Sequence, residues 1–186
     1  MRNVFLSNDK ISLRCFESDD VSLITKWLND ADVTRFMFYG QKPMTEEQVG
    51  ELINSQLGSD KNVVLMIDSC ESPSAIGFCG LYDIHPTARK AEFRILIGDK
   101  NCWGRGYGTE VTKLLTAYGF DRLNLHKIWL GFTSENISAG KAYKKSGYTE
   151  EGILRDDIYR NGRYYDTVRM SILREEFYRG KTSFTP

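Results

Sequence analysis

Apolar and polar residues alternate from Ile11 to Phe16, a two-residue period that predicts a short strand with one buried face. The period then lengthens. Val21, Ile24, Trp27 and Leu28 recur at helical spacing behind Glu17-Ser-Asp-Asp, a sequence suited to a helix start. A turn-rich segment, Met37-Phe-Tyr-Gly-Gln-Lys-Pro43, separates this helix from a second one, which opens at the N-cap residue Thr45 and carries Val49, Leu52 and Ile53. Three strands follow, Val63 to Ile67, Ala75 to Tyr82 and Lys90 to Ile97. The turn clusters Ser69-Cys-Glu-Ser-Pro-Ser74 and His85-Pro-Thr87 divide them.

The second half alternates helix and strand. Val111, Leu114, Leu115 and Tyr118 define an amphipathic helix, Ile128 to Phe132 a strand, and Asn136 to Ser146 another helix closed by Gly147 at its C′ position. Two extended runs, Thr149 to Tyr159 and Tyr164 to Leu173, flank Asn161-Gly162, a strong hairpin signal. The order β-αα-βββ-α-β-α-ββ describes one α/β (α+β) domain over residues 1–180, with 181–186 as a mobile tail.

Composition narrows the functional classes. The 186 residues are 41% hydrophobic and 27% charged, enough to bury a core in one domain. Twenty-five basic residues balance 25 acidic ones, so the net charge is zero. That balance excludes nucleic acid as the main partner, because a phosphate-backbone binder carries a basic excess. Any anion must therefore be held locally. The start has no apolar run long enough for a signal peptide, and nowhere do 18 apolar residues follow one another, so a cytoplasmic protein with no membrane partner is expected. Cys15, Cys70, Cys79 and Cys102 form no CxxC pair and are expected as reduced thiols; His85 and His126 are isolated, so no metal site is expected.

Trp103-Gly-Arg-Gly-Tyr-Gly-Thr109 lies between a buried strand and an amphipathic helix. Its three alternating glycines let the backbone turn tightly and approach a ligand. The first amides of the helix have no internal partner and face the positive end of its dipole, which makes an anion site suited to a pyrophosphate. A Walker A loop would need a Gly-Lys-Ser/Thr ending, and a dinucleotide fingerprint would need a third glycine where Thr109 stands. Neither is present. The plainer alternative is a strand-to-helix loop, which would rarely carry three alternating glycines.

Together with Asn136-Ile-Ser-Ala-Gly-Lys-Ala-Tyr-Lys-Lys-Ser-Gly-Tyr148, this turn resembles the GNAT superfamily of acetyl-CoA-dependent N-acetyltransferases. Within it the chain is similar to the branch of ribosomal-protein N-terminal, spermidine and nucleotide-amino-sugar acetyltransferases. The resemblance runs from about Ile11 to Phe177 and includes Ala91-Glu-Phe and Asn161-Gly-Arg-Tyr-Tyr-Asp. It implies a mixed, mostly antiparallel twisted sheet of about seven strands flanked by about four helices. It departs at Trp103, where the family usually has Gln or Arg.

The resemblance also distributes roles. The cosubstrate acetyl-CoA would lie against the backbone of Ile95, Leu96 and Ile97. Its pyrophosphate would sit over Trp103, Gly104, Arg105, Gly106, Tyr107, Gly108 and Thr109, with Asn136 and Lys145 as further contacts. Tyr143 would be the general acid for the departing thiolate, Leu96 the amide donor to the thioester oxygen, and Glu92 the base for the amine. Each has a plainer alternative: Tyr143 as core, Asn136 as helix cap, Lys145 as a solvated charge, Glu92 as a salt-bridge partner of Arg94 or Arg89. The acceptor pocket would be built from Phe36 to Pro43 and Tyr159 to Tyr165. No acidic residue lies between Thr34 and Met44, where spermidine enzymes of this branch tend to carry them. Arg35, Lys42 and the aromatics suit an amino sugar or another small-molecule amine, with a (ribosomal) protein N-terminus or spermidine as alternative acceptors and a CoA-binding module without transfer as the non-enzyme alternative. A homodimer through the edge of the last hairpin is a further expectation.

Overall fold

Five strands and then three build one sheet in the computed structural model, which describes residues 3–37, 40–72 and 74–179. The strands are β1 (Val4–Ser7), β2 (Ile11–Arg14), β3 (Val63–Ser69), β4 (Ala75–His85), β5 (Lys90–Ile97), β6 (Lys127–Thr133), β7 (Thr149–Arg160) and β8 (Arg163–Leu173). Their spatial order is β1-β2-β3-β4-β5-β6-β8-β7. Among the described strands only β5 and β6 run parallel, as the intervening helix α4 (Tyr107–Asp121) requires. The expected class holds, with β1 as an eighth strand.

The helices divide between the two faces. On one, α4 and α5 (Ile137–Lys145) cover a core that includes Leu13, Leu81, Phe93, Leu115, Ile128 and Tyr143. On the other, α1 (Asp20–Leu28) and α3 (Glu46–Leu57) enclose Ile24, Trp27, Leu28, Val49, Met66 and Leu96. Alternation along β5 serves both cores, since Phe93 is 2% exposed in the first and Leu96 5% in the second. Two short helices, α2 (Ala31–Thr34) and α6 (Arg174–Tyr178), stand beyond the four expected.

Local signals behave as chemistry dictates, with one exception. Thr45 and Gln48 form a reciprocal capping box on α3. Asn161 and Gly162 both have positive φ, +50° and +82°, as a two-residue hairpin turn demands, and Gly147 closes α5 at φ +93°. The exception is α1, whose N-cap Asp19 takes no capping bond from the helix amides. Asp20 turns inward instead, meeting buried Arg14 through two bonds of 2.7 Å and the Glu17 amide at 2.8 Å. Arg14 also reaches Asp68 at 2.9 Å, tying β2 to β3. The expected tail, 181–186, lies outside the described residues.

Candidate active site

β5 and β6 pair through only three positions, Lys90–Lys127, Ala91–Ile128 and Glu92–Trp129, and then separate. Each is held from its outer side: β5 pairs with β4 as far as Ile97, and β6 with β8 as far as Thr133. The sheet therefore opens in its middle, and among the described residues one edge of β5 beyond Glu92 has no strand beside it. Which amides look into the opening follows from parity. Gly98 donates to Ile76 on β4 at 2.8 Å, so the amides of Leu96 and Arg94 also face β4, while those of Phe93, Ile95 and Ile97 face the gap. This corrects the expected role of Leu96: its N–H belongs to the β4 ladder, and its side chain fills the second core.

Tyr143 bridges the opening. Its ring packs against Phe93 of β5 (centroids 6.2 Å apart) and Phe132 of β6 (5.5 Å), one aromatic from each diverging strand, and against Tyr148 (6.3 Å). The residue is 8% exposed, and burial pushes its hydroxyl well above the ordinary tyrosine pKa. That hydroxyl makes no hydrogen bond to any described residue and is not one of the sealed polar atoms without a partner. Tyr148, in the same cluster, shares a 2.9 Å bond with buried Thr116. Gly140 lets α5 come this close, since a Cβ there would meet the Phe132 ring at 3.1 Å. Sequence reasoning passed over Gly140, although a glycine inside a helix costs about 1 kcal/mol and so marks a packing need.

The glycine-rich turn stands at the open end. Gly104 and Gly106 are left-handed (φ +74° and +87°), and a Cβ on either, or on Gly108, would meet nothing within 4 Å. Gly106 is the N-cap of α4 and has no side chain to satisfy the first amides, whereas Thr45 and Asn136 cap α3 and α5. The Thr109 amide turns back to the Gly106 carbonyl at 3.0 Å, which leaves those of Tyr107 and Gly108, among the described residues, for a pyrophosphate. Glu71 stands beside them, accepting from Arg105 and from the Tyr107 hydroxyl at 3.0 Å each. Trp103 donates its indole N–H to the Ile97 carbonyl at 2.8 Å, with the Arg35 guanidinium over its ring.

The other expected residues are spread around this frame. Asn136 caps α5 by accepting from the Ala139 amide at 3.2 Å, so the cap role is real. Lys145 is exposed in the last turn of α5. Glu92 sits at the apex of the opening, on the face away from Phe93. It pairs with Arg94 at 2.6 Å, and Arg94 lies 4.6 Å over the Tyr82 ring. Across the apex, Trp129 carries Arg169 at 4.0 Å over its ring, a stack that the sequence did not single out.

The first acceptor stretch is tied to this region: Phe36 O accepts from Thr133 at 3.1 Å, and Thr34 O accepts from buried Arg160. Phe38 and Tyr39 lie outside the described residues. Tyr159 and Tyr164 stack on each other at the exposed tip of the hairpin. On the α1/α3 face a cavity of about 80 Å³ reaches the opening at Arg94 and Ile95, with Phe16, Leu52, Ile53 and Phe78 among its walls.

Residues 10–149 match the acetyltransferase (GNAT) domain family. The chain belongs to that family. It is 30% identical to the spermidine N(1)-acetyltransferase of Vibrio cholerae over 91% of this chain and 96% of that protein. It is 26% identical to a putative ribosomal N-acetyltransferase of Bacillus subtilis, over 91% and 94%. The structure of the Vibrio cholerae spermidine N-acetyltransferase in complex with CoA and spermine superposes with a TM-score of 0.83 at 30% identity, covering 91% of this chain and 99% of that one. This GNAT protein is an acyltransferase that uses acetyl-CoA. The open edge of β5 and the uncapped start of α4 suit that cosubstrate. Among the described residues no helix is long and apolar enough to cross a membrane, and no group of His, Cys, Asp and Glu could hold a metal ion.

Proposed function

We propose that this enzyme moves the acetyl group directly from acetyl-CoA to the primary amine of a small-molecule acceptor, with Tyr143 as the general acid. The observation that carries the reading is the Tyr143 ring lying between Phe93 and Phe132 where β5 and β6 part, with its hydroxyl bonded to none of the described residues. Acetyl-CoA supplies an activated thioester. The amides at the start of α4 hold its pyrophosphate, with Arg105 beside them once it leaves Glu71. Ile95, whose N–H faces the gap near Tyr143, is the donor to the carbonyl oxygen that gains charge, the part earlier expected of Leu96. A thiol has an ordinary pKa of about 8.5 and tyrosine about 10. With Tyr143 raised further, its hydroxyl is protonated at neutral pH and gives the departing sulfur a hydrogen bond; the proton it passes on as the C–S bond breaks is replaced from solvent, which takes up the one released by the amine.

The amine must arrive neutral. Glu92 is the acceptor of its proton, directly or through water, from a position at the apex on the acceptor side. It pairs there with Arg94 at 2.6 Å. Asn136 and Lys145 are second-rank contacts to the cosubstrate, the first through the amide nitrogen that capping leaves over.

The test is to incubate the purified protein with acetyl-CoA and single amines, following free thiol. Acetyl transfer predicts thiol release that depends on the amine and a stoichiometric acetylated product. Release at the same rate without amine would refute it.

A further inference from the structure

We infer that the acceptor carries a compact apolar group and no second positive charge near its reacting amine, a substrate class set by the cavity on the α1/α3 face. This inference deepens the acetyl-transfer reading and rests on it.

The cavity's described lining comes from Phe16, α1, Met37, α3, β3, β4 and β5, and it is almost entirely apolar. Among its described wall residues the polar groups are Gln56, Arg94 and the Tyr82 hydroxyl, and there is no carboxylate. The acids of α3, Glu46, Glu47 and Glu51, point to solvent. Two carboxylates stand near the mouth, Glu92 and the solvent-exposed Asp83, and both are paired with Arg94, at 2.6 and 3.9 Å.

The chemistry follows from that inventory. A monoamine can bring its nitrogen to Glu92 and the splayed edge of β5 while its body replaces water against Phe16, Leu52, Ile53 and Phe78. The second ammonium of a diamine would enter an apolar space with the Arg94 guanidinium at its mouth and no anion to meet it. A sugar body would bury hydroxyls without partners. Size sets the upper bound. A cavity of 150 Å³ accommodates benzene, so about 80 Å³ suits a short alkyl group better than a ring. The relatives named for spermidine thus share the fold and the cosubstrate site, while this cavity selects against a polycation.

The decisive pair of probes is pentylamine and 1,5-diaminopentane, which share a chain length and differ by one terminal ammonium. Spermidine and glucosamine are added as further arms. Thiol release gives kcat/KM for each, and calorimetry of each amine on the CoA-bound protein gives binding without turnover. The inference expects pentylamine to exceed the diamine at least 10-fold in kcat/KM and in affinity. It also expects Ile53→Trp, which fills the cavity, to remove the pentylamine preference while CoA affinity stays within twofold. A diamine or spermidine equal to or better than pentylamine overturns it, as does failure of pentylamine to bind. Binding of pentylamine at the expected preference without amine-dependent thiol release would uphold the cavity's selectivity and refute acetyl transfer. If Ile53→Trp fails to fold, the pentylamine-to-diamine ratio in the unaltered protein decides alone.

Discussion

Two tyrosines five positions apart in one aromatic cluster offer a sharp test of what Tyr143 does. Both are buried, and burial raises both hydroxyls above their ordinary pKa. Tyr143→Phe keeps the ring against Phe93, Phe132 and Tyr148 and removes a hydroxyl that bonds no described residue. Its folding stability should change by less than about 1 kcal/mol, which for a domain of this size is a shift of about 2–4 °C in Tm. Its turnover should fall at least 100-fold, about 2.7 kcal/mol of barrier, the usual contribution of a positioned acid. Tyr148→Phe does the reverse. It breaks the 2.9 Å bond to buried Thr116 and leaves that hydroxyl without its partner. The cost is about 1–3 kcal/mol, roughly 2–12 °C in Tm, with turnover per folded molecule nearly intact. Thermal melts and thiol release at saturating amine measure both axes. If Tyr143→Phe kept turnover within twofold at an unchanged Tm, the acid role would be wrong. If both variants lost activity only in proportion to stability, the cluster would be packing and nothing more.

Three further outcomes are expected. Gly106→Ala forces a methyl-bearing residue into φ +87° with no protein atom within 4 Å to clash, so its strain is the backbone's alone, about 1–2 kcal/mol; the methyl enters the anion-facing space, and calorimetry should show CoA affinity reduced at least 10-fold. Arg14→Met removes the guanidinium shared by two largely buried carboxylates, Asp20 and Asp68, and should cost about 3–5 kcal/mol; in urea melts, replacing all three members with apolar residues should recover most of that loss. For pH, the folded pKa values of Tyr143 and Tyr148 lie above the unfolded value of about 10, so their contribution to stability is complete below pH 10 and is lost as pH rises past it. The Tm of the doubly substituted Tyr143→Phe/Tyr148→Phe protein should therefore decline less above about pH 10 than that of the unaltered protein.

Local chemistry was readable where a residue's own neighbours in sequence decide the outcome. The Thr45 cap, the Asn161-Gly162 turn, Gly147 and the bounds of β5 are all of that kind. The elements the sequence hid are short or exposed. Along β1 only Leu6 is even partly buried, so no alternation marks the strand, and α2 spans four residues. The site was legible in its parts and illegible in its joint. Alternation states which face Leu96 serves, but not which neighbour its amide meets, because that depends on strands more than 15 residues away. The parting of β5 from β6 is likewise a fact about β4 and β8. The cavity draws its walls from residues between Phe16 and Ile95, and no spacing rule links them.

That parting has a thermodynamic consequence. Strands β1 to β5 form one half-sheet and β6, β8 and β7 another, and within the sheet three residue pairs join them. A ligand that lies along the vacant edge of β5 acts as mortar between the halves. It binds the folded chain and not the unfolded one, so at a hundred times its dissociation constant it adds about 2.7 kcal/mol to stability. The resistance of this enzyme to heat and proteolysis is then not a constant of the sequence. It rises and falls with the acetyl-CoA around it, and hydrogen exchange at the Ile95 amide should report the same occupancy residue by residue.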